Sequence, residues 1–101
     1  MKADFERIVK AVADAAELRP TQILSKRRFQ ETLDARWVVV RLMHEEGFYS
    51  SKIADHMNMT TRNVNYILFS FETRMAFGDR CLRNILERAR KELGKSEEIS
   101  S

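Results

Sequence analysis

The stretch SSKIADHMNMTTRNVNYILF, residues 50–69, decides the fold of this chain. Its apolar residues recur every three or four positions on both sides of Asn58, which is typical of two short helices joined by a tight turn. Only a small residue fits where the second helix crosses the first, and Ala54 occupies that position. Asn58 is one of the few residue types that tolerate the left-handed backbone of such a turn. The apolar residues expected to bury the pair are Ile53, Met57, Met59, Val64 and Ile67.

The polar side chains of this stretch suit contacts with duplex DNA. The spacing matches a helix-turn-helix at about 50–77, a motif whose second helix enters the major groove. There Arg62 has the donors for guanine, Asn65 can bond adenine twice, and threonine methyl groups can touch thymine. Hydroxyls and a lysine at the start of the first helix suit phosphate. The candidate DNA-binding residues of the motif are Ser50, Ser51, Lys52, Thr60, Thr61, Arg62, Asn63, Asn65 and Tyr66.

A plainer interpretation fits the same residues. Ser50 or Ser51 is expected to cap a helix over 52–57, and Thr60 or Thr61 to cap the longer helix that follows. On this interpretation the threonines only cap, and the arginine and asparagine beyond them are solvated surface. Because one threonine can cap a helix and bind a ligand, capping does not exclude DNA binding.

Three further helices are predicted before the motif. Apolar positions from Phe5 to Leu18 follow helical spacing with charges between them. Pro20 suits the first position of a short helix that ends at about Ser25. Residues 30–46 are apolar on more than half of the helix circumference, so we expect a central buried helix despite its three consecutive valines. Gly47 is expected to end that helix in the left-handed conformation.

One helix is predicted after the motif, beyond Gly78. Its apolar stripe allows two arrangements, which are folding back over the first helix or pairing with the same helix of a second copy to form a homodimer. The polar residues 95–101 are predicted to be a disordered tail. The stripe consists of Leu82, Ile85, Leu86, Ala89 and Leu93.

Composition places these helices in a single all-α domain, residues 1–94. The chain has 101 residues, of which 44% are hydrophobic and 33% charged, enough to bury one core. Three glycines and one proline are too few for the many turns of a sandwich or barrel. We therefore expect a compact domain of about six helices. Because the sequence has neither a long apolar run nor a signal-peptide pattern, we expect a soluble, cytoplasmic protein that binds no membrane.

The sequence offers no constellation for catalysis, a cofactor or a metal. Cys81 is the single cysteine, which excludes an intramolecular disulfide and a cysteine zinc cluster. His44-Glu45-Glu46 and Asp55-His56 lack the spacing of a zinc site, because adjacent helical residues diverge by about 100°. A phosphate-binding glycine loop and a serine nucleophile turn are also missing from the sequence. We therefore expect neither an enzyme nor a bound cofactor.

A basic segment, Ser25-Lys26-Arg27-Arg28, lies between the second and third predicted helices. The net charge is only +3, with a sequence pI of about 9.3, so the placement of the positive charges matters more than their number. Basic triplets of this kind are most often solvated loops. Next to a helix-turn-helix, this segment is interpreted as a second contact to DNA.

From Leu18 to Met75 the chain resembles the C-terminal DNA-binding domain of the bacterial replication initiator DnaA, in the Trp-repressor-like group of folds. The resemblance implies that a basic loop places Arg28 in the minor groove beside the recognition helix. It also implies positions near the DNA backbone for Lys26, Arg27 and Arg36. The residues that carry the resemblance are Ile23-Leu24-Ser25-Lys26-Arg27-Arg28, Ala35-Arg36, Ile53-Ala54 and the start of the second motif helix.

The chain departs from this family at the recognition helix. Where the family has Arg-Asp-His-Thr-Thr-Val, this chain has Met59-Thr60-Thr61-Arg62-Asn63-Val64, so the acidic and histidine base readers are absent. An ATPase motif is also absent from the sequence. A stand-alone relative, in replication or transcription control or in a mobile element, therefore fits better than an initiator.

These observations predict sequence-preferring binding of double-stranded DNA. The helix-turn-helix would lie in the major groove and the basic loop in the minor groove. The alternative is a helical protein–protein interaction module that has lost DNA binding, which the missing Asp-His pair and the modest net charge favour.

Overall fold

Six α-helices and no strand make up the part of the chain that the computed structural model describes. That part is residues 4–24 and 30–100, with the side chains of residues 30, 31 and 95–100 left aside. The expected all-α class and number of helices are confirmed. The Cα radius of gyration, 12.7 Å, is that of a compact domain of about 100 residues. The helices are α1 Phe5–Ala16, α2 Pro20–Leu24, α3 Gln30–Glu45, α4 Ser50–Met57, α5 Thr61–Ala76 and α6 Arg80–Ser100.

Helix α1 is closed at both ends by local hydrogen bonds. The Asp4 carboxylate accepts from the backbone N–H of Arg7 at 2.8 Å, which satisfies one of the free donors of the first turn. At the other end Glu17 takes the left-handed conformation, with φ 58°, and the Leu18 N–H bonds to the Ala13 carbonyl. A left-handed glutamate costs more than a glycine would, so the sequence predicted the approximate end of this helix but not its left-handed conformation.

Helix α3 lies at the centre and packs against each of the other five helices. Val38, Val39 and Val40 are fully excluded from solvent. Their burial confirms the expected central helix and shows tertiary packing overriding the strand preference of β-branched residues. Gly47 adopts φ 96°, and the N–H of Phe48 bonds back to the Met43 carbonyl at 3.1 Å, so the predicted left-handed end of the helix is also confirmed.

Helix α6 folds back along α1 in the same chain. Of its apolar stripe, Leu82, Leu86 and Ala89 are buried, while Ile85 and Leu93 are partly buried against the same core. The first of the two arrangements is therefore the one present. Pairing with a second copy through these residues would have to replace contacts that already exist within one chain.

The backbone of α6 continues to Ser100. The disordered tail expected over 95–101 stays a prediction. Lysine and glutamate make up three of the six residues over 95–100, and both are good helix formers. Among the described helices, none is long and apolar enough to cross a membrane.

Leu82→Ala is expected to lower the free energy of unfolding by about 2–5 kcal/mol, because it leaves a cavity in the core where α6 meets α1 and α3. The matched control is Arg83→Ala at the exposed neighbouring position, with an expected change below about 0.5 kcal/mol. Urea unfolding followed by circular dichroism measures both. Equal effects of the two substitutions would contradict the packing of α6 described above.

Candidate nucleic-acid interface

The turn between α4 and α5 is built on Asn58. This residue has φ 54° and ψ 50°, so the left-handed conformation expected from the sequence is confirmed. Its N–H bonds to the carbonyls of Ala54 and Asp55, and the N–H of Met59 bonds to the Ala54 carbonyl at 3.0 Å. Ala54 is buried, as predicted for the place where the two helices approach each other. The connection between α4 and α5 is therefore only three residues long.

The start of α5 is capped by one of the two threonines considered. The Thr60 hydroxyl oxygen accepts from the backbone N–H of Asn63 at 3.1 Å, and Thr61 is the first residue of the helix. Thr60 and Thr61 are both exposed. The capping part of the plainer interpretation thus holds for Thr60, which is also an exposed residue.

The start of α4 differs from the sequence prediction. The helix begins at Ser50, its N-cap is Tyr49, and no side chain caps it. The prediction that Ser50 or Ser51 caps this helix was therefore wrong. The Ser50 hydroxyl instead donates to Oδ1 of Asn65 on α5 at 2.7 Å, a partner offered only by the folded pair of helices.

Helix α5 has a buried side and an exposed side. Val64, Ile67 and Phe71 are buried against the core. On the opposite side, side chains spaced three and four residues apart project into solvent. The largest members of this outer stripe are Arg62, Asn65, Tyr66 and Phe69.

Three of the predicted DNA-binding residues of α5 differ in how accessible their polar groups are. Arg62 is exposed and makes no ion pair with any residue that the structure describes. Asn65 accepts from Ser50 but keeps its amide N–H groups for an outside acceptor. Asn63 lies at the edge, where its side-chain nitrogen contacts the Met59 sulfur at 3.8 Å. Arg62 and Asn65 are therefore the better placed of the three to meet a ligand.

Tyr66 is fixed by a chain of contacts that the sequence did not reveal. Its ring stands edge-on to Trp37 at 6.1 Å between centroids, with 89° between the planes. The Arg74 guanidinium lies 4.9 Å from the centre of the Trp37 ring. Trp37 is partly buried and packs against the core. Tyr66 itself is 60% exposed, so one part of its ring is held while the rest is accessible.

Arg74 is in turn held by two carboxylates. It bonds to Asp34 at 2.9 Å and to Asp79 at 2.6 Å. Burial opposes the charge of Arg74, but its hydrogen bonds to both carboxylates outweigh burial and raise its pKa. The pKa of Asp79 is lowered, first by the backbone N–H of Leu82 that its carboxylate accepts and then by Arg74. These pairs join α3, α5 and the start of α6, and no spacing in the sequence signals them.

Arg36 holds two helices together. Its Nε donates to the Ile23 carbonyl at 2.6 Å, which ties α3 to the end of α2. Burial lowers the pKa of its guanidinium, and one terminal nitrogen is buried without a partner among the described residues. The place of Arg36 near the DNA backbone, which the resemblance implied, stays a prediction.

The structure describes some of the remaining residues predicted to contact DNA and does not describe others. Ser51 and Lys52 are exposed in the first turn of α4. Lys26, Arg27 and Arg28 lie outside the residues that the structure describes. Among the side chains described, no three His, Cys, Asp or Glu residues are grouped so as to hold a metal ion.

Comparison of the sequence with models of protein families and with curated proteins found no match. The α4–α5 surface has three features of its own that bear on function. They are a buried underside, an exposed outer stripe with Arg62 and Asn65, and a first turn of α4 that no side chain caps.

Asp79→Asn is expected to reduce the acid sensitivity of the fold. Because the native pKa of Asp79 lies below its ordinary value of 3.8, its carboxylate stabilises the fold above that value. The contribution is lost as the pH falls through the lowered native pKa. Asparagine keeps an acceptor for the Leu82 N–H but carries no charge.

Urea unfolding at several pH values from 7 down to about 2 measures this effect. The variant should be less stable than the wild type at neutral pH, and the difference should shrink as the pH falls below 3.8. A difference that stays constant over the whole range would contradict the role assigned to the carboxylate.

Proposed function

We propose that this protein binds double-stranded DNA with a sequence preference, using α4 and α5 as a helix-turn-helix. The observation that carries the proposal is the outer stripe of α5. Arg62 and Asn65 are exposed there on a helix whose other side is anchored in the core. A rigid helix with accessible guanidinium and amide groups has the size and the donors that the major groove accepts.

Within this proposal the side chains take distinct roles. Arg62 donates to the two acceptors of a guanine, and Asn65 bonds an adenine while Ser50 holds its oxygen. Thr60 and Thr61 offer methyl groups to thymine at the start of the helix. These residues would supply direct readout of base edges.

Phosphate contacts are proposed for the start of α4. Its first backbone N–H groups receive no side-chain cap, and Ser51 and Lys52 are exposed beside them. Free N–H groups at a helix start, together with a lysine, favour an anionic group. Such contacts fix the position of the protein on the duplex without reading sequence.

The resemblance to the DnaA C-terminal domain remains part of the proposal. On that basis Arg28 enters the minor groove, with Lys26 and Arg27 near the backbone. A role in replication or transcription control, including that of a mobile element, follows from the same resemblance. Arg36 is given no DNA contact, because its guanidinium is bonded to Ile23.

A second candidate function is a protein–protein interaction module. Tyr49 and Phe77 favour it, since they are 80% and 87% exposed and lie outside the stripe assigned to DNA. Large exposed aromatic side chains are enriched at protein interfaces. If this function is the right one, a partner protein should cover Tyr49 and Phe77, and the protein should not retain a DNA duplex.

Retention of random-sequence duplex DNA at low salt is the first expected result. Three cations on phosphate, Lys26, Arg27 and Lys52, give a slope of about −2.7 for log affinity against log salt concentration. Fluorescence anisotropy over a salt series measures it. Lack of binding to the pool at low salt would refute the proposed function.

Arg62→Ala is expected to relax the preference at one base pair by about 1–3 kcal/mol, because the bidentate donors to guanine are removed. Selection from a randomised duplex library, repeated with the variant, measures the change position by position. Arg83→Ala on α6 is the control, since it removes an equally exposed positive charge elsewhere. A uniform loss of affinity across all sequences would place Arg62 on phosphate instead.

A further inference from the structure

Phe69 is the least expected member of the outer stripe of α5. Its side chain is 78% exposed, whereas Phe71, two residues later on the same helix, is 1% exposed. Neither helix capping nor the core accounts for an accessible phenyl ring in the middle of a long helix.

The register of α5 places Phe69 in line with the proposed base readers. It lies four residues after Asn65 and seven after Arg62, which is the same side of an α-helix. Seven residues advance about 10 Å along the helix, and this distance corresponds to about three base-pair steps. A helix lying in the major groove with Arg62 on one base would therefore bring Phe69 near another.

The charge next to Phe69 is compatible with DNA. Glu72, three residues further along the stripe, would otherwise repel phosphate. Its carboxylate is paired with the Arg41 guanidinium, which also bonds to Glu45 at 2.9 Å. The hydrogen bonds to these carboxylates outweigh the effect of burial and raise the pKa of Arg41. The acidic group on this side of α5 thus lies beside a fixed positive charge.

An apolar ring has one kind of target in the major groove. The base edges there are hydrogen-bond donors and acceptors, except for the C5-methyl group of thymine. A cytosine methylated at C5 presents the same group at the same place. A phenyl ring on the same exposed stripe as Arg62, Asn65 and Tyr66 gains from this contact while those side chains bond to polar atoms.

We propose that Phe69 recognises the C5-methyl group of a pyrimidine in the major groove, about three base pairs from the base read by Arg62. This inference rests on the proposed function. It adds a specificity-determining residue and names the chemical group that it recognises, a methyl group carried by thymine or by 5-methylcytosine.

The experiment starts from a duplex selected by the full-length wild-type chain from a randomised library. Each thymine in it is replaced in turn by deoxyuridine, which removes only the methyl group. At the position about three base pairs from the base read by Arg62, away from the thymines assigned to Thr60 and Thr61, the wild type should bind about five to ten times more weakly, as expected for a modest apolar contact. Phe69→Ala should bind the thymine and deoxyuridine duplexes equally, whereas Phe77→Ala, the exposed aromatic control, should keep the wild-type ratio.

A second series separates the two sources of the methyl group. The position found above is changed to a C·G pair, with cytosine or 5-methylcytosine in place of the thymine. Restoration of affinity by methylation in the wild type, and not in Phe69→Ala, would extend recognition to 5-methylcytosine. An effect confined to thymine would support the proposal for thymine alone.

Other outcomes overturn the inference. Affinity that is independent of the methyl group at all positions would do so, as would an unchanged thymine-to-deoxyuridine ratio in Phe69→Ala. Concentration-dependent self-association that Phe69→Ala abolishes, with methyl discrimination intact, would assign the ring to a protein contact. Circular dichroism of Phe69→Ala excludes misfolding as a cause. Absence of any DNA binding by the wild type is a distinct result, because it overturns the proposed function as well.

Discussion

The reversal of the backbone at Asn58 is the constraint on which the rest of the proposed binding surface depends. Its left-handed conformation lets α4 end and α5 begin within three residues. The two closely connected helices contact each other, and both pack on α3. One side of α5 is therefore buried in the core, and the opposite stripe is exposed to solvent. A longer or looser turn would not fix which side of α5 is accessible.

A second constraint acts at the other end of α5. Arg74 bonds to Asp34 of α3 and to Asp79, which also accepts from the N–H of Leu82 at the start of α6. The same guanidinium lies over Trp37, and Trp37 supports Tyr66. Such partly buried, mutually satisfied charges are costly to break, because removing one leaves the others desolvated and unpaired. The exposed stripe of α5 therefore belongs to a helix that is fixed by the Asn58 turn at its start and by the Arg74 ion pairs near its end.

The helices themselves were predictable, because their approximate positions follow hydrophobic periodicity and a few residues with special backbone preferences. The central position of α3, the left-handed Gly47 and the left-handed Asn58 were all expected from the sequence and are present. The exposed positions Arg62 and Asn65 were also expected. The partners of the remaining polar side chains were not, because each joins residues far apart in the chain. Hydrogen bonds join Ser50 to Asn65, Arg36 to the carbonyl of Ile23, and Arg74 to Asp34.

The amino-acid sequence by itself determined the all-α class, the place of each helix and the residue that turns the chain between α4 and α5. These properties depend on local periodicity and on the intrinsic conformational range of single residues. Only the tertiary structure decided that α6 folds back over α1, that Arg36 donates a hydrogen bond to α2, and that Phe69 is excluded from the core. The physical reason is that burial and hydrogen-bond partners depend on which helices meet, and a single helical pattern does not specify its neighbour.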